Sequence, residues 1–91
     1  MLKGFERAAS PQYKYDAIIE HKHGSISRIP FGKKREHHYM DTTPLGYYKY
    51  QDTRDVIIRS KKIKEYMNRS SGIAENSSRY FELKYLFSLG L

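Results

Sequence analysis

The stretch Tyr13 to Gly32, YKYDAIIEHKHGSISRIPFG, carries a pattern that specifies a structure with little help from the rest of the chain. From Tyr13 to Lys22, Tyr13, Tyr15, Ala17 and Ile19 fall on one face of an extended chain and Lys14, Asp16 and Glu20 on the other. That alternation predicts a half-buried strand. His23-Gly24 follows, where a two-residue hairpin turn needs positive φ, which glycine accepts freely and histidine tolerates better than most residues. Ser25 to Phe31 then runs back as a second strand, with Ser27, Ile29 and Phe31 sharing a face. Pro30 has no N–H to give a neighbour, so this strand belongs at a sheet edge, and Gly32 ends it. A lone hairpin is marginal in water, so another element must cover its apolar face.

The covering element is expected after Asp52, which is placed to cap a helix, with Asp55 adding negative charge near the positive end of the dipole. Val56, Ser60, Ile63 and Met67 recur at helical spacing, widened by Ile57 and Tyr66, and Gly72 offers a stop. The fold class read from this is small α+β: an antiparallel hairpin at about 13–31, packed by one amphipathic basic helix at about 53–70. The helix should turn its stripe to the hairpin. Arg59, Lys61, Lys62, Lys64 and Arg69 then look outward, with Glu65 the only acid nearby.

Around this mini-domain, 13–72, lie two flanks. Residues 1–12 offer only Leu2 and Phe5 for burial and read as an extended arm that packs on whatever is near or stays disordered. Asp41 to Gly46, DTTPLG, is a connector rich in turn residues, and Ser70 to Ser78 is a polar linker. In the tail, 73–91, Phe81, Leu83, Tyr85 and Phe87 share a face if extended, while a short helix from Ser77 or Ser78 fits equally. A terminus this apolar must dock, on the hairpin or on a partner.

Ninety-one residues make one small domain, and Leu, Ile, Val and Phe supply only about a fifth of them, close to the composition at which chains stop folding alone. Nine tyrosines offer large rings suited to interfaces as much as cores. The chain is therefore expected to borrow part of its interior from neighbours, with Tyr47, Tyr48, Tyr50, Tyr80, Phe81, Leu83, Tyr85 and Phe87 binding the partner. Tyr47, Tyr48 and Tyr50 interleave with Lys49, which also suits base stacking beside phosphates, although tyrosines ahead of a helix often seal a small core.

A net charge of +7 implies an acidic partner: nucleic acid, an acidic protein face or an anionic membrane surface. Lys33-Lys34-Arg35 places three adjacent positive charges in a loop, either solvated or set against phosphates, as do Arg59, Lys61, Lys62, Lys64 and Arg69 on the helix. Absence of cysteine excludes disulfides and thiolate chemistry and favours a reducing, intracellular or intra-particle home. No run approaches the roughly 20 apolar residues of a membrane span. The opening MLKGFERAAS has features of an organellar presequence but is short and carries Glu6. His21 and His23 face the same way on a strand, and His37 and His38 follow the hairpin. The second pair is adjacent in sequence and no acid stands behind either, so no metal site is expected. No nucleophile has an identifiable base and no cofactor fingerprint occurs, so neither an enzyme nor a cofactor is expected.

Several of these residues, in order, resemble a family of small uncharacterised proteins of large double-stranded DNA viruses of eukaryotes and some tailed phages. They are Tyr15-Asp16, Phe31-Gly32, Tyr39 with Asp41, the Thr43 to Tyr48 segment TPLGYY, Asp52 before a basic helix, Tyr80-Phe81 and Tyr85-Leu86. The likeness spans about residues 13–87. This chain departs from the family in having Pro30 where His usually precedes Phe-Gly, fewer arginines in the helix, and no final Trp. The resemblance implies a virion component within or beneath the capsid shell, a minor capsid or internal packing protein whose partners are larger capsid subunits. The alternative is a basic nucleic-acid-associated protein, such as a peripheral protein of a ribonucleoprotein particle.

Overall fold

Pairing begins one strand earlier than the alternating stretch. The computed structural model describes residues 1–67 and 73–91, in the order β1 (Leu2–Arg7), β2 (Tyr13–Glu20), β3 (Ile26–Lys33), α1 (Val56–Met67) and α2 (Ser78–Leu86), with a 3₁₀ turn at Lys49–Gln51. This is a small α+β fold, a three-stranded antiparallel sheet in the order β1-β2-β3 with two helices. The expected C-terminal end of the basic helix, with Arg69 and the Gly72 stop, lies outside the described residues.

The hairpin register sets Tyr15 opposite Phe31, Ala17 opposite Ile29 and Ile19 opposite Ser27, and β3 is an edge strand, as Pro30 requires. The turn is one residue longer than expected. Gly24 N–H donates to His21 O (2.9 Å) and His21 N–H to Ser25 O (2.9 Å), enclosing Lys22, His23 and Gly24. Only Gly24 needs positive φ, at +83°, so His23 is spared the strain a two-residue turn would impose. At the other end β3 continues through Gly32, whose φ is +73° and where an added Cβ would lie 2.6 Å from Leu86 Cδ1. Glycine here allows both the bend and the close approach of α2.

Residues 1–12 are not a free arm. β1 pairs along β2, Phe5 opposite Ala17 and Glu6 opposite Asp16, and the Met1 ammonium donates to Glu20 O at 2.7 Å. Phe5 meets Phe31, Phe81 and Tyr85 edge-on, at centroid distances of 5.8, 6.5 and 4.7 Å. β2 thereby becomes the central strand, and its nominally polar side, Lys14 and Asp16, is buried along with the apolar one.

The sheet is covered by the tail, not by the basic helix. The tail is helical: Ser77 caps α2 by accepting from Tyr80 N–H (3.2 Å), and α2 packs on β3. Phe81, Leu83, Leu86 and Phe87 join Tyr15, Ala17, Ile19, Phe31 and Tyr48 in one core. The connector closes α2 from beyond its end, with Tyr39 and Met40 N–H donating to Leu86 O (3.0 Å each) and Thr42 N–H to Tyr85 O (2.9 Å).

α1 packs against α2 and contains no buried residue. Its inner line is Ile58, Arg59, Lys62, Ile63 and Tyr66; Val56 and Ile57 of the expected stripe are 63 and 62 % exposed. The cap is Asp55, which accepts from Ile57 N–H at 2.8 Å, because the carboxylate of Asp52 is held elsewhere. Although part of the interior was expected to come from neighbours, nine tightly buried side chains among the described residues, drawn from the sheet, the connector and the tail, form one continuous core within the chain.

Candidate nucleic-acid interface

The surface with most unpaired charge is held in place by a polar network beneath it. The buried Lys14 ammonium donates to Glu36 O (2.7 Å) and to His38 Nδ1 (2.8 Å). An ammonium has only protons to give, so Nδ1 accepts and His38 carries its proton on Nε2, which donates to Asp52 Oδ1 at 2.6 Å. Asp52 also accepts from Asp41 N–H (2.8 Å). Asp41 takes the Tyr15 hydroxyl (2.5 Å), Tyr48 N–H (3.1 Å), Thr43 N–H (2.9 Å) and the Thr43 hydroxyl (2.6 Å). The connector from 38 to 52 is thus fastened to adjacent residues of β2.

Ionisation in this network follows burial. Burial lowers Lys14 from 10.5 to about 8, against the pull of Glu82 and Glu36. Burial, reinforced by the Lys14 charge, also pushes His38 below its ordinary value, in keeping with a neutral ring. Burial alone would raise the Asp41 carboxyl, but the bonds from Thr43, Tyr15 and Tyr48 outweigh it and hold Asp41 ionised. Glu82, facing Tyr66, is raised by burial, and the Tyr66 phenol is raised by burial and by its bond to Glu82.

Three tethers then fix the basic loop. Lys34 N–H donates to Gln12 O (2.9 Å), Gln51 Nε2 donates to Lys34 O (3.3 Å), and Lys62 Nζ meets Glu36 Oε2 (3.2 Å). The loop 33–36, the 3₁₀ turn and α1 therefore form one continuous side of the molecule. Lys34, Arg35, Lys49, Lys61 and Lys64 are exposed there and pair with no carboxylate among the described residues. Lys22, at the hairpin turn, and Arg54, ahead of α1, are unpaired too. Glu6 and Asp16 pair with Arg28 and Glu20 with Lys3, while Asp41, Asp52 and Glu82 are bonded in the interior; Glu36 and Glu65 do lie on this side, where they meet Lys33 and Lys62. A cleft of about 700 Å³ opens beside the loop, lined by Pro11, Gln12, Tyr13, Lys33, Lys34, Arg35 and Glu36.

The expected site residues divide. Lys33, Lys34, Arg35, Lys61 and Lys64 are exposed, although Lys33 lies 3.8 Å from Glu36. Arg59 is structural: Nε donates to Phe87 O (2.7 Å) and an Nη to Ser88 O (3.1 Å), closing the end of α2. Lys62 is only 15 % exposed and bridges Glu36 and Glu65. Among the apolar and aromatic residues expected to bind a partner, Tyr48, Phe81, Leu83 and Phe87 are core, and Tyr80 and Tyr85 pack against it. That is a correction, since covering the sheet consumes the faces a partner would need. Tyr47 carries Arg7 over its ring at 4.1 Å, and Tyr50, 77 % exposed, is the tyrosine left most open.

Sequence reasoning missed Lys14, Tyr15, Asp41 and Asp52 as one network, and Tyr13 and Gln12 as neighbours of the basic loop. The one available signal was Lys14 on β2, and it becomes informative only once β1 is known to flank that strand. His21 bonds Ser27 Oγ (2.7 Å), His23 and His37 are exposed, and no group of three metal-ligating side chains occurs among the described residues. No helix among them is long and apolar enough to cross a membrane. Comparison with protein-family models, with curated proteins and with solved structures finds no match.

Proposed function

We propose that this protein is a non-enzymatic, nucleic-acid-associated basic protein that holds the sugar-phosphate backbone on the side formed by the loop 33–36, the 3₁₀ turn and α1. One observation carries the reading: on this side Lys34, Arg35, Lys49, Lys61 and Lys64 are exposed and pair with no carboxylate among the described residues, outnumbering Glu36 and Glu65, which are taken by Lys33 and Lys62. Each cation that neutralises a phosphate releases a condensed counterion, so binding depends on salt through the number of contacts. Three to five phosphate contacts give a slope of log K against log salt of roughly −2 to −5. Fluorescence anisotropy with a labelled oligonucleotide, from low to physiological salt, measures it. Lys34→Glu with Lys61→Glu should flatten the slope and weaken binding. A slope near zero, or indifference to charge reversal, rules the reading out.

The second reading is a minor virion component filling seams between larger capsid subunits, inside or beneath the shell. It rests on the resemblance and on Val56 and Ile57, adjacent apolar residues left on the outside of α1. It no longer uses the tail. Val56→Asp with Ile57→Asp should then abolish co-assembly with capsid subunits while leaving oligonucleotide binding intact; unimpaired co-assembly would dismiss it.

A further inference from the structure

The basic face has one feature that phosphate binding alone leaves without a purpose. Tyr50 is a large aromatic residue, 77 % exposed, on a turn whose backbone is hydrogen-bonded on both sides of it. Gln51 N–H donates to Tyr48 O (2.9 Å) and Asp52 N–H to Lys49 O (3.0 Å), so the backbone on either side of Tyr50 is locked. Behind it the buried Tyr48 ring lies 5.9 Å away at 34°, supporting one side of Tyr50 and leaving the other to solvent. Tyr47 differs, since the Arg7 guanidinium already occupies its ring.

Gln51 links this turn to Lys34 O, and Lys34 N–H links onward to Gln12 O, so the turn that carries Tyr50 is tied to one wall of the cleft lined by Tyr13, Lys33, Lys34, Arg35 and Glu36. The cleft's volume of about 700 Å³ falls within the ~300–1,000 Å³ of small-ligand sites. An open, pre-set aromatic face next to a cationic groove is the combination that takes an unpaired base together with its backbone. A duplex keeps its base faces inside the stack and could use only the cations.

From this we infer that the face selects single-stranded over double-stranded nucleic acid, with phosphates along Lys33, Lys34 and Arg35 and a base stacked on the outer side of Tyr50. The inference rests on the nucleic-acid reading and narrows it.

The test compares a single-stranded oligonucleotide of about a dozen nucleotides with its matched duplex, at fixed low salt, on the full chain and its Tyr50→Ala, Tyr50→Phe and Lys34→Glu variants. A second strand preparation carries 2-aminopurine, whose fluorescence falls when the base stacks. The full chain should prefer the single strand and quench 2-aminopurine. Tyr50→Ala should weaken single-strand binding by roughly 5- to 150-fold, lose the quench and leave duplex binding unchanged, while Tyr50→Phe behaves like the parent. Because Tyr50 is exposed, its variants should keep the parent circular dichroism, and Lys34→Glu should weaken both nucleic acids. Equal affinity for strand and duplex, with Tyr50→Ala affecting neither, overturns this inference and spares the broader reading. Binding to neither at low salt removes both.

Discussion

His38 Nε2 lies 2.6 Å from Asp52 Oδ1, joining two residues fourteen apart in sequence across the connector that carries Tyr48 and Tyr50. The same carboxylate oxygen accepts Asp41 N–H at 2.8 Å, so one acid closes the loop at both ends. Removing it orphans two buried donors.

Asp52→Ala should therefore cost about 2–6 kcal/mol, since each of the two unsatisfied buried donors costs about 1–3 kcal/mol. Asp55→Ala removes only the cap of α1 and should cost about 1 kcal/mol. Urea unfolding of the two variants separates the roles. Equal losses would contradict the assignment of Asp55 as cap and Asp52 as clasp.

Stability should climb with pH and then fall. His38 has a folded pKa below 6.5, so as pH drops through that region the unfolded chain takes up a proton that the folded chain resists, and stability is lost. Lys14 acts in the same sense: between about 8 and 10.5 the unfolded chain binds more protons, and stability rises with pH. Asp41, held low, adds to the loss in acid, while Glu82, held high, opposes it. Above about pH 10 the unfolded phenols ionise while Tyr15 and Tyr66 resist, and stability declines. Thermal midpoints across this range should peak between about 9 and 10. Lys14→Met should abolish the rise above pH 8; its persistence would mean that another group titrates there.

Gly32→Ala should destabilise by about 2–4 kcal/mol, because φ is +73° and the new Cβ would lie 2.6 Å from Leu86 Cδ1. Gly4 is a useful contrast. A Cβ there meets nothing within 4 Å, and its φ is not positive, so Gly4→Ala should be neutral or stabilise by up to about 1 kcal/mol.

Phe81→Ala should cost about 3–5 kcal/mol in the isolated protein, the price of a cavity under the sheet. Tyr50→Ala should stay within about 0.5 kcal/mol of the parent. A loss at Phe81 seen without any partner would show that the tail serves the chain's own core. A negligible loss would return the tail to a docking role.

Legibility in the sequence depended on how local the deciding force was. The apolar face Tyr15, Ala17, Ile19 and the edge position of Pro30 follow from a two-residue period and a missing N–H, and both appear as read. Helix ends also obey local chemistry, yet Asp52, read as the cap, is claimed by His38 and Asp41, and Asp55 caps in its place. In the tail, Phe81 to Phe87 satisfies two periods, and residues far away decide between them. The floor of Phe5, Phe31 and Tyr15 is met by Phe81, Leu83, Leu86 and Phe87 only when the segment is helical.

The candidate site was half visible for the same reason. A run of cations such as Lys33-Lys34-Arg35 is plain in the letters, but which cations stay free depends on where carbonyls and carboxylates arrive in space. Arg59 goes to the end of α2 and Lys62 to Glu36, while Lys34, Arg35, Lys61 and Lys64 keep their charge for solvent. Strand faces and total charge were thus written into residue order, through spacing and composition alone. The burial of Lys14, the interior role of the tail and the openness of Tyr50 came from chain segments packing together, because desolvation and partner choice depend on neighbours remote in the chain.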